Sequence, residues 1–219
     1  MVVRTKIILL TAMIVMASPA YANINIGSID YGYDAPKGSD LLTFDDPAQT
    51  AFKVTGGSIR NFTDANGAEP AIGLGVRDKT NYLAVTPNSD AIISSDRGYR
   101  TVSLLWGSMD SYNTISLMDK AGHAFASYSA DKISMPANGN QSDGATNRRV
   151  TFNTSGTTPS IYGLRLSSAG PAFEADNVSF AAPVPEPSVW ASMLLGLGGA
   201  GFAAKRRKKG SQKQVVLQM

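Results

Sequence analysis

The chain contains no cysteine and a single histidine. Without cysteine it forms no disulfide and offers no thiolate to a metal or to a nucleophilic mechanism. The lone histidine, His123, follows Gly122 in a turn-like stretch. Zinc sites and Ser- or Cys-based catalysis draw on several such ligands or a correctly placed base, so an exposed turn histidine is the simpler reading. Gly107-Ser108 lacks the Gly-x-Ser-x-Gly elbow of a serine hydrolase. Also missing, between residues 23 and 182, are any persuasive 3.6-residue apolar period and any internal repeat, which argues against helical bundles and solenoids. No Lys/Arg stripe with interleaved aromatics occurs there either. The formal charge of +3 misleads, because eight of the 20 cations (Arg4, Lys6, Lys205, Arg206, Arg207, Lys208, Lys209 and Lys213) lie in the two ends. Residues 23–204 hold the other 12 against all 17 acids, a balance of −5. That mildly acidic body argues against nucleic acid as a partner.

What is present is strongest at the ends. Arg4 and Lys6 precede an apolar stretch from Ile7 to Met16, Pro19 breaks it, and Ala20-Tyr21-Ala22 fits a small-x-small cleavage site. Residues 1–22 therefore read as a secretory signal peptide. At the other end, Pro185-Glu186-Pro187 lies in a proline-rich linker over 183–188, followed by an apolar run from Val189 to Ala204 and then Lys205-Arg206-Arg207-Lys208-Lys209. The 16 residues of the apolar run would make a helix of about 24 Å, close to a ~30 Å hydrocarbon core once flanking side chains snorkel. Trp190 sits at an interfacial position, and Gly196, Ala200 and Ala204 form a small-xxx-small row. By the positive-inside rule the basic stop and the tail over 205–219 are cytoplasmic, so everything before the helix lies outside. Proline favours extended backbone without donors, which keeps the linker out of a sheet and open to an enzyme.

Between these ends, residues 23–182 make one domain of ordinary size. Short β-branched or alternating runs recur between Gly, Asn, Asp and Ser clusters: Leu41–Phe44, Ala51–Thr55, Tyr82–Val85, Ala91–Ser94, Thr101–Leu105, Thr114–Met118, Ala124–Tyr128, Val150–Asn153, Ile161–Leu166 and Asn177–Ala181. This spacing predicts an all-β, single β-sandwich domain, jelly-roll-like. Asp119-Lys120-Ala121-Gly122 predicts a hairpin with Gly122 at positive φ, Pro87–Asp90 a turn, and 137–147 an exposed loop.

The arrangement of Pro185-Glu186-Pro187, apolar helix and basic cluster resembles that of the PEP-CTERM proteins of Gram-negative bacteria. In that family the motif is recognised by exosortase, a membrane protease-transpeptidase. The resemblance covers about 25 residues, and this chain continues past its basic cluster to Met219. Leu105–Thr114 and Ala172–Val178 are similar to segments of one subgroup of exosortase-dependent surface proteins. The resemblance implies exosortase and the inner membrane as partners, an anchored precursor, and a final place at the cell surface or in the extracellular matrix.

Candidate chemistry in the domain rests on acids and aromatics. Asp45-Asp46 follows the first predicted strand, and Glu174, Asp176 and Asn177 precede the last. If those strands are neighbours, the oxygens approach one another. Capping of strand-end turns is one reading. A structural calcium ion replacing the absent disulfides is a second, and a pair of catalytic carboxylates a third. Asp64-Ala65-Asn66-Gly67 echoes a calcium loop but lacks its remaining ligands, so it reads as a turn. Trp106 and Tyr112, with Tyr99, are candidate sugar-stacking residues, against a packing role for Trp106 after its apolar strand. Three function classes follow: a non-catalytic surface or matrix protein associated with extracellular polysaccharide, a calcium-stabilised carbohydrate-binding module, and a glycan-active enzyme.

Overall fold

The computed structural model describes residues 23–30, 34–46, 51–72, 76–77 and 79–181. The signal peptide, proline-rich linker, apolar helix and basic tail read from the sequence lie outside the described residues. Among the described residues, no helix is long and apolar enough to cross a membrane.

The described residues form fourteen strands: β1 (Asn23–Asp30), β2 (Asp40–Leu42), β3 (Lys53–Gly56), β4 (Ser58–Arg60), β5 (Ala71–Ile72), β6 (Val76–Arg77), β7 (Tyr82–Val85), β8 (Ser89–Tyr99), β9 (Thr101–Gly107), β10 (Asn113–Met118), β11 (Ala124–Ser129), β12 (Arg148–Ser155), β13 (Ile161–Ser168) and β14 (Phe173–Ala181). A single 3₁₀ turn over Ala130–Lys132 follows β11. The larger sheet runs β1-β12-β9-β14-β7-β4, with β2 also paired to β14; the smaller runs β11-β10-β13-β8-β3; β5 and β6 pair alone. All pairings are antiparallel. The all-β expectation therefore stands, as two antiparallel sheets.

Alternation decides which residues the two sheets bury against each other. In β9 these are Val102, Leu104 and Trp106; in β14, Phe173, Ala175, Val178 and Phe180. From the smaller sheet Ile115 and Leu117 of β10, Leu164 and Leu166 of β13, and Ala91 and Ile93 of β8 enter the same cluster. Phe52 stacks on Phe180 with ring centres 4.8 Å apart, and Tyr99 closes on Phe180 at 5.2 Å. The core thus forms without disulfides, by apolar burial from both layers.

The predicted hairpin forms between β10 and β11. Gly122 has φ +80°, and Asp119 Oδ1 accepts from the backbone N–H groups of Ala121 and His123 at 2.9 Å each. Three differences from the sequence reading matter. β1 is not among the predicted strands, which begin at Leu41. Glu174, Asp176 and Asn177 lie inside β14, not before it. The loop over 137–147 is exposed only in part, since Thr146 and Asn147 are buried.

A further feature positions the site. The outer face of the larger sheet is covered. A strap over 62–72 crosses it: Tyr82 OH donates to the Phe62 carbonyl at 2.7 Å, and Pro70 packs on Gly107 so closely that a Cβ there would sit 3.1 Å away. Leu105, Tyr82 and Ala84 are buried on this second side. The central strands of this sheet are consequently buried on both faces.

Candidate functional site

The covered face carries polar side chains, because the residues that alternate with the core apolar set in β9, β12 and β14 are Ser103, Arg149, Glu174, Asp176 and Ser179. All five are buried. Buried polar groups persist when hydrogen-bonded. Ser103 and Ser179 hydroxyls lie 2.9 Å apart, and Arg149 Nη1 donates to Ser103 Oγ at 2.8 Å and to the Asn177 carbonyl at 3.1 Å.

Glu174 is 1% exposed, which decides its chemistry. Its Oε2 accepts from Ser108 Oγ at 2.7 Å and its Oε1 from the Ala68 backbone N–H of the strap at 3.0 Å. Burial pushes its pKa up to about 8, against the opposing pull of those two hydrogen bonds; the nearby Asp110 adds to the rise. Asn147 provides a second clamp. Its Oδ1 accepts from the backbone N–H groups of Ala71 and Ser108 at 3.0 Å each, and its Nδ2 donates to the carbonyls of Asn140 and Asp143 at 2.9 Å each. Ser108 itself sits at φ +33°, held between the two clamps. Tyr112 OH donates to Asp110 Oδ2 at 2.5 Å and lies 2.9 Å from the Pro171 carbonyl. Burial raises the pKa of both groups, and the shared hydrogen bond raises that of Tyr112 further while holding Asp110 back.

The second half of β14 builds a different feature. Its partners change along its length: Phe173–Ala175 pair with β7, and Val178–Phe180 pair with β2. The changeover falls at a bulge after Asp176, where Asn177 has φ +47°. β2 and β7 therefore meet end to end beside one strand. The seam is closed by Asn81, whose backbone N–H donates to Asp45 Oδ1 at 2.8 Å and whose side chain donates to the Phe44 carbonyl at 3.3 Å. Thr80 Oγ1 donates to Asp176 Oδ2 at 3.3 Å, and Asp176 Oδ1 accepts from the Asn177 backbone N–H at 2.6 Å. Beside the seam opens a groove of about 490 Å³, lined by Leu42, Phe44, Phe52, Val54 and Ile59 with Asp45, Asp46 and Asn81.

The first and last predicted strands do pair, as β2 with β14. That brings Asp45 and Asp176 to the adjacent residues Asn81 and Thr80. Glu174 is committed elsewhere, to Ser108 and the strap. The five acid and amide residues Asp45, Asp46, Glu174, Asp176 and Asn177 thus serve separate places. Among the described residues, no group of three or more Asp, Glu or His side chains is placed to hold one metal ion. The sugar-stacking assignment of Trp106 is corrected: the ring is fully buried and stacks on Phe173 at 4.3 Å, with no face left to present. Tyr112 is half-buried, with its hydroxyl engaged as above. Asp64-Ala65-Asn66-Gly67 is a turn, with Asp64 Oδ1 accepting from the Asn66 N–H at 2.7 Å and ion-paired to Arg60.

Sequence reasoning passes over Asn147 and Ala68, and weighs Ser108 only as a nucleophile. Their signal was slight: polar or small residues in loops, whose partners are 39 to 106 positions away in sequence.

Residues 183–208 match the family model of the PEP-CTERM protein-sorting motif. No curated protein matches the chain, and no solved structure does.

Proposed function

We propose that the chain is an exported, non-catalytic surface or extracellular-matrix protein, sorted by exosortase through Pro185-Glu186-Pro187 and associated with extracellular polysaccharide. The chain carries the PEP-CTERM sorting motif, and such a motif implies exosortase processing of an exported protein. One observation carries the reading of the domain as cargo. The last residue of β14 is Ala181, and the motif begins at residue 183. The described fold reaches to within one residue of the address. In this reading Val189–Ala204 holds the precursor in the inner membrane with Lys205–Lys209 on the cytoplasmic side, and cleavage near the motif frees the sandwich. The chemistry belongs to the processing enzyme; the cargo supplies a stable, disulfide-free body.

The test is intact-mass analysis of the protein recovered from the cell surface. Wild-type material is expected to end before Val189, and a Pro185→Ala, Glu186→Gln, Pro187→Ala variant to stay in the membrane fraction at full tail length. Surface material that retains Val189–Ala204 would overturn the reading.

The groove beside Asp45 favours a second reading, a carbohydrate-binding module. Its acceptors Asp45, Asp46 and Asn81 border an apolar floor, a combination suited to a ligand with hydroxyl donors and an apolar face. A glycan array probed with wild type and Asp45→Ala checks it: binding lost in the variant supports the module, and a silent array removes it.

A further inference from the structure

Both ends of the described domain emerge at one pole of the sandwich. Asn23, the first residue of β1, stands opposite Ser155 of β12, and Asn25 opposite Asn153. Asn153 is level with Thr101 of β9, and Thr101 is level with Ala181, the last residue of β14. Four adjacent strands in the order β1-β12-β9-β14 thus set the two ends within two residues of the same level. Three inter-strand steps separate them, about 14 Å. The same pole carries the turn at Arg100, whose carbonyl accepts from the Thr154 N–H at 2.8 Å and whose guanidinium reaches the Thr158 carbonyl at 2.5 Å. It also carries the β10–β11 hairpin, because Met118 is level with Gly163 near the start of β13. The opposite pole is built by the segments after β9 and before β12, which meet where Asp110 bridges Asn138.

From this placement we infer that the pole holding Arg100, Thr157 and the 119–123 hairpin is the membrane-facing surface of the anchored precursor, and that its partner is the lipid bilayer surface. The inference rests on the anchored-precursor reading above. Length decides it. Seven residues, 182–188, lie between β14 and the apolar run at Val189. The eight Cα steps from Ala181 to Val189 span at most about 29 Å fully extended. The eight steps of β14 from Ala181 back to Phe173 measure about 27 Å along the strand, and the opposite pole only begins there, where Glu174 is level with Gly107. A tether drawn out to its limit would just reach the near edge of the opposite pole, with no length left to round it and lay it on the lipid. The amino-terminal end tightens the restriction, since the apolar stretch that ends at Met16 is joined to Asn23 at the same pole until the signal peptide is removed. The precursor therefore stands on this pole and presents the Asp110–Asn138 pole outward.

The absence of cysteine makes the test clean. Thr157→Cys and Lys120→Cys place single thiols at the proposed membrane pole, and Met135→Cys, at a position 73% exposed, places one at the other. Each full-length chain is labelled with a fluorophore and reconstituted into vesicles whose headgroups carry a nitroxide quencher. Melting curves matching the wild type establish that each variant is folded. The chain is expected to float with the vesicles, with quenching several-fold stronger at 157 and 120 than at 135. Flotation with equal quenching at all three sites, or with stronger quenching at 135, overturns the pole assignment. Failure to float overturns instead the anchored-precursor reading beneath it.

Discussion

Ser108 Oγ and Glu174 Oε2 lie 2.7 Å apart, joining a carboxyl group to a hydroxyl 66 residues away in the chain. With the Ala68 N–H on the other oxygen, this bond ties the end of β9, the middle of the large sheet and the strap into one unit.

That unit makes stability depend on pH. The folded-state pKa of Glu174 is raised from 4.5 to about 8 by burial. Between those values the unfolded chain has lost the proton and the folded chain retains it, so stability falls as pH rises through that window. One such group contributes a slope of up to about 1.4 kcal/mol per pH unit. Glu174→Gln keeps an acceptor for Ala68 and gives Ser108 a donor, with nothing to ionise. Chemical denaturation from pH 5 to 8.5 should show a declining wild type and a flatter variant. Parallel curves would assign the dependence to other groups, with Asp110 the nearest.

Asn147 satisfies two backbone donors and gives both of its own protons to carbonyls. Asn147→Ala leaves the buried Ala71 and Ser108 N–H groups without that acceptor, and should destabilise the fold by about 3 kcal/mol in urea. Asn147→Asp keeps the acceptors but loses both donations, and should rescue only part of the loss.

Trp106→Ala should lower stability by about 3–5 kcal/mol, the range for emptying a large aromatic site in a packed core. Trp106→Phe, which retains a ring against Phe173, should lose less. Any glycan binding by the sandwich should survive Trp106→Phe, read on an array under conditions where the variant is folded.

Asp45 holds the seam through one exposed bond to the Asn81 N–H. Asp45→Ala should cost about 1 kcal/mol. On the hydrogen-bond account EDTA leaves the melting temperature unchanged. A drop of several degrees on adding EDTA, reversed by calcium, would show instead that an ion is bound.

Particular residues show what the sequence could disclose. Tyr82–Val85 and the Asp119–Gly122 hairpin were legible because each is specified locally, by an apolar run or by turn chemistry. β1 was not, because Asn-Ile-Asn-Ile directly follows a segment read as an address. β4 offers only Ile59 between polar neighbours. The front half of β14 lies outside the predicted last strand, Asn177–Ala181, because Glu174 and Asp176 are polar. Yet Phe173 and Ala175 alternate with the two acids, and the bulge at Asn177 resets the alternation for Val178 and Phe180. Polarity signals solvent unless a second layer covers the face, and the strap that covers this one lies about a hundred residues earlier. No local pattern announces such a lid. The neighbourhood of Asp45 and Asp176 was legible, since first and last strands of a sandwich often adjoin; the removal of Glu174 to a separate network was not.

β14 joins β9 on one side to β7 and β2 on the other, and among the described residues it is the last strand to be synthesised. Until it arrives, the larger layer exists as three strand groups that share no ladder: β1-β12-β9, β7-β4 and β2. On the anchored-precursor reading, a chain exported in the amino-to-carboxyl direction cannot lock until its closing segment has crossed, just ahead of the sorting address. Maturation of the body and delivery of the label would then coincide, and a chain stalled before Phe173 should remain open to protease.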